Sequence, residues 1–184
     1  MPEKIIHILM LGADYYGKLA ITLRFVKGSD DEMIPTLEDT FQKNISVDGE
    51  TFVCETTVTP NGEDAEALIL HLIKQSDAFG IVYSVDDKFT FDYISKLYDD
   101  IVRIKKTKNP PCVIFANKCE LPAPHAVPIE DAKAKSSRSW NNTEIIEVSK
   151  NQNDNINKGF EKICRLALKQ NNSKDSSNGY CEIL

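Results

Sequence analysis

The stretch Gly12-Ala13-Asp14-Tyr15-Tyr16-Gly17-Lys18-Leu19 decides the fold, because it matches the pattern G-x-x-x-x-G-K between a predicted strand and a predicted helix. An apolar run at 5–11 precedes it, and a helix-forming segment at 18–26 follows it and ends before Gly28. This order directs backbone N–H groups and the positive end of a helix at one point, where Lys18 adds a full charge. The alternative is that Lys18 is a solvated lysine at the start of a helix. The pattern predicts a phosphate site formed by Gly12, Ala13, Asp14, Tyr15, Tyr16, Gly17, Lys18 and Leu19.

One ligand that such a loop usually carries is missing. A Ser or Thr normally follows the lysine, because Mg²⁺ requires oxygen ligands and the hydroxyl supplies one. Leu19 occupies that place and has no oxygen to offer. The loop therefore predicts magnesium binding that is weak or absent.

A second motif, Asn117-Lys118-Cys119-Glu120-Leu121, follows an apolar run at 112–116. At the carboxyl end of a parallel strand, the carboxylate of Glu120 would accept from the N1–H and exocyclic amine of guanine, and Asn117 would bond the base edge. Glu120 as a simple helix or turn cap is the alternative. The segment 147–150 follows the short apolar pair 145–146 and contributes two candidates to the base pocket, Ser149 and Lys150.

Together these motifs resemble the Ras-type small GTPases, and the resemblance covers nearly the whole chain. The segment 47–52 is similar to the hairpin of that family, and Cys181-Glu182-Ile183-Leu184 is similar to a prenylation box. The alternatives are an ordinary edge segment at 36–38 and an inert thiol at Cys181. The segment that resembles the effector loop consists of Met33, Ile34, Pro35, Thr36, Leu37, Glu38, Asp39, Thr40 and Phe41.

The resemblance implies a three-layer P-loop GTPase fold with a six-stranded, mostly parallel sheet. It also implies GTP or GDP as ligand, Ras-type effectors and exchange factors as partners, and a lipid on Cys181. A lipid there would place the protein on the cytoplasmic face of the plasma membrane or an endomembrane. One prenyl chain anchors weakly, so a cytosolic pool is expected as well.

Several residues depart from the family pattern around the hydrolytic site. Val58, Asn61 and Gly62 stand in the places of the Asp that holds Mg²⁺ through water, the Gly that contacts the γ-phosphate and the Gln that orients water. Asp14 brings a like charge toward the phosphate oxygens. Thr36 remains as the one candidate metal ligand. We therefore expect no catalytic residue, and hydrolysis that is slow or absent.

Composition limits the remaining classes of function. A net charge of −6 without a basic stripe argues against nucleic acid as partner, and five scattered cysteines with no apolar leader predict a reduced, cytosolic setting. No apolar stretch approaches the ~20 residues of a membrane span. We expect a monomer with a GTPase-like domain at 1–169 and a polar, flexible tail at 170–184.

Strands and helices are predicted to alternate, which indicates an α/β fold with helices on both faces of the sheet. Helical spacing places Ile156, Phe160, Ile163, Cys164 and Ala167 in the core. The predicted segments are strand 4–11, helix 17–27, strands 41–47 and 51–58, helix 64–75, strand 78–84, helix 88–105, strand 112–116, helix 128–138, strand 144–147 and helix 155–169.

Two classes of function remain open on this evidence. The first is a guanine-nucleotide-regulated signalling switch. The second is a nucleotide-independent binding module that presents 33–41 to effectors or engages exchange factors. A P-loop kinase would fit the glycine loop, but it would explain neither 117–120 nor the tail.

Overall fold

The computed structural model describes residues 4–13, 15–28, 39–60, 65–141, 143–149 and 153–178, without the side chains of 15, 16, 39 and 172–178. Strands and helices alternate along these residues, as predicted. The elements are β1 (Ile5–Leu11), α1 (Tyr15–Lys27), β2 (Asp39–Val47), β3 (Glu50–Val58), α2 (Glu66–Gln75), β4 (Ala78–Ser84), α3 (Lys88–Lys105), β5 (Cys112–Asn117), α4 (Ile129–Ser139), β6 (Glu144–Glu147) and α5 (Asn153–Asn178).

The strands form one six-stranded sheet in the order β2-β3-β1-β4-β5-β6. Every neighbouring pair is parallel except the hairpin β2-β3, which is antiparallel. The hairpin turns through Asp48 and Gly49, both at positive φ, as a two-residue turn matching the strand twist requires. The predicted α/β fold, a mostly parallel sheet of the P-loop GTPase type, is confirmed.

Alternation along the central strands divides the interior into two cores, one on each face of the sheet. In β1, Ile8 and Met10 face the core shared with α1 and α5, whereas Leu9 and Leu11 face the core shared with α2, α3 and α4. Helices therefore cover both faces. The predicted core face of the last helix is confirmed, because these side chains are almost completely buried: Ile156, Phe160, Ile163, Cys164 and Ala167.

The last helix is longer than its sequence predicts. It ends at Asn178 and not at Lys169, so the residues 170–178 are helical where an irregular tether was expected. Once a helix is nucleated and packed, each further residue adds a hydrogen bond at small cost. Nothing at 170–178 interrupts that extension, because the segment holds neither proline nor glycine before Gly179.

The fold brings the predicted site segments to one edge of the sheet. Parallel strands β1, β3, β4, β5 and β6 all end at the same edge, and the loops that follow them lie side by side there. The loop after β1 carries the glycine pattern, the loop after β5 begins at Asn117, and the chain after β6 leads to Ser149. This edge is the candidate site.

Candidate functional site

Gly12 turns the chain from β1 into the glycine loop, and its backbone has φ +143°. A Cβ on this residue would lie 2.3 Å from the carbonyl oxygen of Val82 in the neighbouring β4. Real Cβ atoms do not approach oxygen so closely, so only glycine allows the loop to pass over the end of β4. Within the loop, Gly17 is buried and Ala13 is half-buried.

Lys18 lies in the first part of α1, and its side chain is completely buried. Its Nζ donates to the carbonyl oxygen of Gly12 at 2.7 Å and to the Oγ1 of Thr59 at 3.1 Å. A buried ammonium is tolerated only when its donors meet acceptors, and these bonds are of the stronger, charge-assisted kind. The alternative of a solvated lysine at the start of a helix is therefore wrong.

Thr59 is a member of this cluster that the sequence did not single out. It follows β3 directly and is buried, and its hydroxyl donates to the carbonyl oxygen of Met10 at 2.9 Å. The signal in the sequence was a hydroxyl residue directly after the predicted strand 51–58. Its significance depends on the parallel register that sets Met10 opposite Val58.

The described residues do not fit a magnesium ion. The places of the metal ligands are occupied by Leu19 and Val58, which are both buried. Val58 packs in the core that the sheet shares with α1 and α5. The side chains of both residues carry no oxygen, whereas Mg²⁺ prefers near-octahedral oxygen coordination. In the part of the chain that the structure describes, no cluster of three or more His, Cys, Asp or Glu side chains is suited to a metal.

The base-reading motif lies at the other side of the edge. Asn117 ends β5 and is buried, and its carbonyl oxygen accepts from the N–H of Val85 at 3.0 Å. Lys118 then takes a left-handed conformation with φ +66°, which turns the chain away from the sheet. Glu120 is exposed on the same loop.

Backbone bonds place Ser149 next to this loop. The N–H of Val148 donates to the carbonyl oxygen of Ala116 at 2.8 Å, and the N–H of Cys119 donates to that of Val148 at 3.3 Å. Ser149 itself is buried. The fold therefore brings the loop that begins at Asn117 next to the segment that ends at Ser149.

Asp86, which follows β4, forms an ion pair with Lys118. Asp86 accepts from the hydroxyl of Ser84 and from the Nζ of Lys118, the latter at 3.4 Å. The Ser84 hydrogen bond first, and then the charge of Lys118, lower the pKa of the Asp86 carboxyl. Neither Ser84 nor Asp86 is among the site residues predicted above, although both follow the apolar run of β4.

Cys119, in the same motif, is a neutral thiol. Burial first, and then the negative charge of Glu147, raise its pKa to about 11. Its Sγ donates to the carbonyl oxygen of Ala116 at 3.1 Å. The raised pKa disfavours the thiolate, which is the reactive form of cysteine, at neutral pH.

A cavity of about 580 Å³ lies beside the glycine loop and between α2 and α3. It touches Gly12 and Thr59 on one side and Phe89 and Tyr93 on the other. The base-reading residues lie elsewhere, so this cavity is a neighbour of the phosphate loop and does not contain the candidate base pocket.

Several predicted site residues lie outside the described residues, namely Asp14, 33–38 with Thr36, Asn61, Gly62, Lys150 and Cys181. Of the segment 33–41, the structure describes Asp39 to Phe41 at the start of β2. Thr40 is exposed there, and its hydroxyl lies 3.1 Å from that of Thr57 on β3. None of the helices in the described parts of the chain is long and apolar enough to cross a membrane.

A model of the Ras family matches residues 7–169. The matched range begins in β1, includes the glycine loop, the Asn117 motif and Ser149, and ends within α5. Guanine-nucleotide binding is the general property of that family. On this match and the fold described above, the chain belongs to the Ras family of small GTPases.

Proposed function

We propose that this Ras-family protein is a signalling protein that binds GTP and GDP and hydrolyses GTP slowly or not at all. The observation that carries the proposal is the buried ammonium of Lys18, held under the glycine loop by Gly12 and Thr59. A positive charge in that place is what the β- and γ-phosphates of a nucleotide require. The segments of Asn117 and Ser149, at the same sheet edge, support guanine as the base.

Slow hydrolysis follows from what surrounds the loop. Phosphoryl transfer is catalysed chiefly by positioning and by neutralising the developing charge, mostly with a metal ion. Leu19 and Val58 offer apolar, buried side chains at the metal positions. Gly62 carries no side chain that could orient the attacking water.

The test begins with the nucleotide released from purified protein on denaturation, identified by chromatography. Titrations with fluorescent GDP and with a fluorescent adenine nucleotide then measure affinity and base preference. We expect GDP to bind, the adenine nucleotide to bind much more weakly, and Lys18→Ala to bind GDP far more weakly but still measurably. The matched control is Lys88→Ala, an exposed lysine at the start of α3 that pairs with Asp92.

Single-turnover assays with γ-labelled GTP measure the hydrolysis. We expect an intrinsic rate well below the ~3–5 × 10⁻⁴ s⁻¹ of Ras itself. A rate in that range would contradict the proposal of impaired hydrolysis. Equal binding of guanine and adenine nucleotides would contradict the guanine assignment.

The second candidate function is a nucleotide-independent binding module that presents 33–41 to effectors or exchange factors. The apolar metal positions favour it, because an intact switch depends on the metal and γ-phosphate to order its loops. Protein that contains no nucleotide and shows no GDP binding, yet captures a Ras-type effector or exchange factor, would support this alternative.

We further propose lipidation at Cys181 and residence on cytoplasmic membrane surfaces with a cytosolic pool. The support is the tail sequence Cys181-Glu182-Ile183-Leu184, whose final leucine favours a geranylgeranyl group. A single chain gives reversible binding, which is why two populations are expected.

A further inference from the structure

Thr59 is fixed in place by the strand beside it. Its N–H and its hydroxyl both donate to the carbonyl oxygen of Met10, at 3.1 Å and 2.9 Å, and its side chain is buried. A threonine hydroxyl carries one proton, which goes to Met10 here, so the lone pairs of Oγ1 remain for the ammonium of Lys18 at 3.1 Å. The orientation of this acceptor is therefore set by β1.

We propose that Thr59 is a positioning residue for phosphate binding, which holds the ammonium of Lys18 under the glycine loop. The inference rests on the proposed nucleotide binding and adds a residue on which that binding depends. A lysine ammonium sits on a flexible four-carbon stem, so acceptors must set its place. Gly12 supplies one acceptor and Thr59 supplies another, from two different strand ends.

Holding the ammonium in place before a phosphate arrives lowers the entropy that binding has to overcome. Removal of the Thr59 hydroxyl should therefore weaken nucleotide binding, although Thr59 acts through Lys18 and not by a contact of its own with the nucleotide. We expect Thr59→Val to weaken the affinity for fluorescent GDP by about tenfold, which corresponds to ~1.4 kcal/mol. Thr59→Ser keeps the hydroxyl and should bind within about twofold of the unmodified protein.

The matched control is Thr56→Val. Thr56 lies in β3, three residues before Thr59, is also completely buried, and contacts the Sγ of Cys54 at 3.6 Å and not Lys18. The Thr56→Val variant should lose stability, as Thr59→Val does, but it should keep its affinity for GDP. Thr59→Ala removes the hydroxyl without adding bulk and takes the place of Thr59→Val if circular dichroism shows that the valine variant is unfolded.

A double-mutant cycle tests whether Thr59 acts through the lysine. In a Lys18→Ala background, Thr59→Val should cause no further loss of GDP affinity, because the group that it positions is gone. A loss equal to that in the unmodified background would show an effect that does not pass through Lys18, and would overturn the proposal.

An NMR measurement separates this inference from the proposed function. Nitrogen-15 spectra of the lysine ammonium groups, without nucleotide, should show a slowly exchanging signal that Lys18→Ala removes. Thr59→Val should shift this signal or speed its exchange, and Thr59→Ser should restore it. If the protein binds no GDP, the proposed nucleotide function fails and the NMR result alone decides whether Thr59 positions Lys18. An unchanged ammonium signal in Thr59→Val would refute the inference.

Discussion

An alanine at position 12 would place its Cβ 2.3 Å from the carbonyl oxygen of Val82, in a backbone with φ +143° that L-residues rarely adopt. Two costs add. Backbone strain of this kind costs about 1–3 kcal/mol. Forcing an extra carbon against a packed strand costs about 1–3 kcal/mol more, because the contact is to backbone and no flexible side chain can move aside. We expect Gly12→Ala to lose about 4 kcal/mol of the free energy of unfolding.

Gly49→Ala is the matched control for this prediction. Gly49 also has positive φ, +86°, but a Cβ there would meet nothing within 4 Å, so the strain stands alone at about 1–2 kcal/mol. In thermal unfolding followed by circular dichroism, about 2–4 °C per kcal/mol gives a loss of about 8–16 °C for Gly12→Ala and about 2–8 °C for Gly49→Ala. If Gly12→Ala proves no less stable than Gly49→Ala, the glycine loop does not pack on β4 as described.

Three further predictions follow from the site and the tail. Chelating Mg²⁺ should change the affinity for fluorescent GDP by less than about threefold, because Mg²⁺ needs oxygen ligands that Leu19 and Val58 do not supply; a much larger loss in chelator would contradict the missing metal site. The pKa of Asp86 is lower in the folded protein than in the unfolded chain, where it is about 3.9. The bonds of Asp86 to Ser84 and Lys118 therefore stabilise the fold fully above the unfolded pKa, and this stabilisation is lost as the pH falls through the folded pKa. Since the carboxyl is 45% exposed, Asp86→Asn should cost less than about 1 kcal/mol at pH 7 and nothing once both states are protonated, as urea unfolding at several pH values would show. Cys181→Ser should move the protein wholly into the soluble fraction of cells, and an unchanged distribution would count against lipidation.

The bounds of several elements could be predicted because the sequence marks their ends. Helix α3 begins after Asp87, whose carboxylate accepts from the N–H of Phe89 at 2.9 Å, and it ends at Lys105, before Lys106 in a left-handed conformation. Strands β4 and β6 have their predicted bounds as well. For α5 the predicted end was too early, because a polar composition does not end a helix where, as in the segment 170–178, neither proline nor glycine interrupts it.

The candidate site could be predicted where its residues are consecutive and not where they meet through the fold. The glycine loop and the motif at Asn117 are local patterns with chemical reasons for each residue type. Thr59 and Asp86 gain their roles only because the sheet sets the end of β3 beside α1 and the end of β4 beside Lys118. Contacts between residues so far apart in the chain leave no local pattern in a single sequence.

The residues at the metal positions bear on which chemistry the protein retains. Val58 belongs to the core formed with Met10 and Ile21, so an aspartate in its place would bury a carboxylate at a cost of several kcal/mol unless a partner met it. The apolar side chain is thus part of the packing as well as a missing ligand. Lys18, by contrast, keeps a buried charge, and the carbonyl oxygen of Gly12 and the hydroxyl of Thr59 both accept hydrogen bonds from it. Apolar side chains at the metal positions, together with a buried ammonium under the glycine loop, support the proposal that the protein binds a guanine nucleotide and hydrolyses it slowly or not at all.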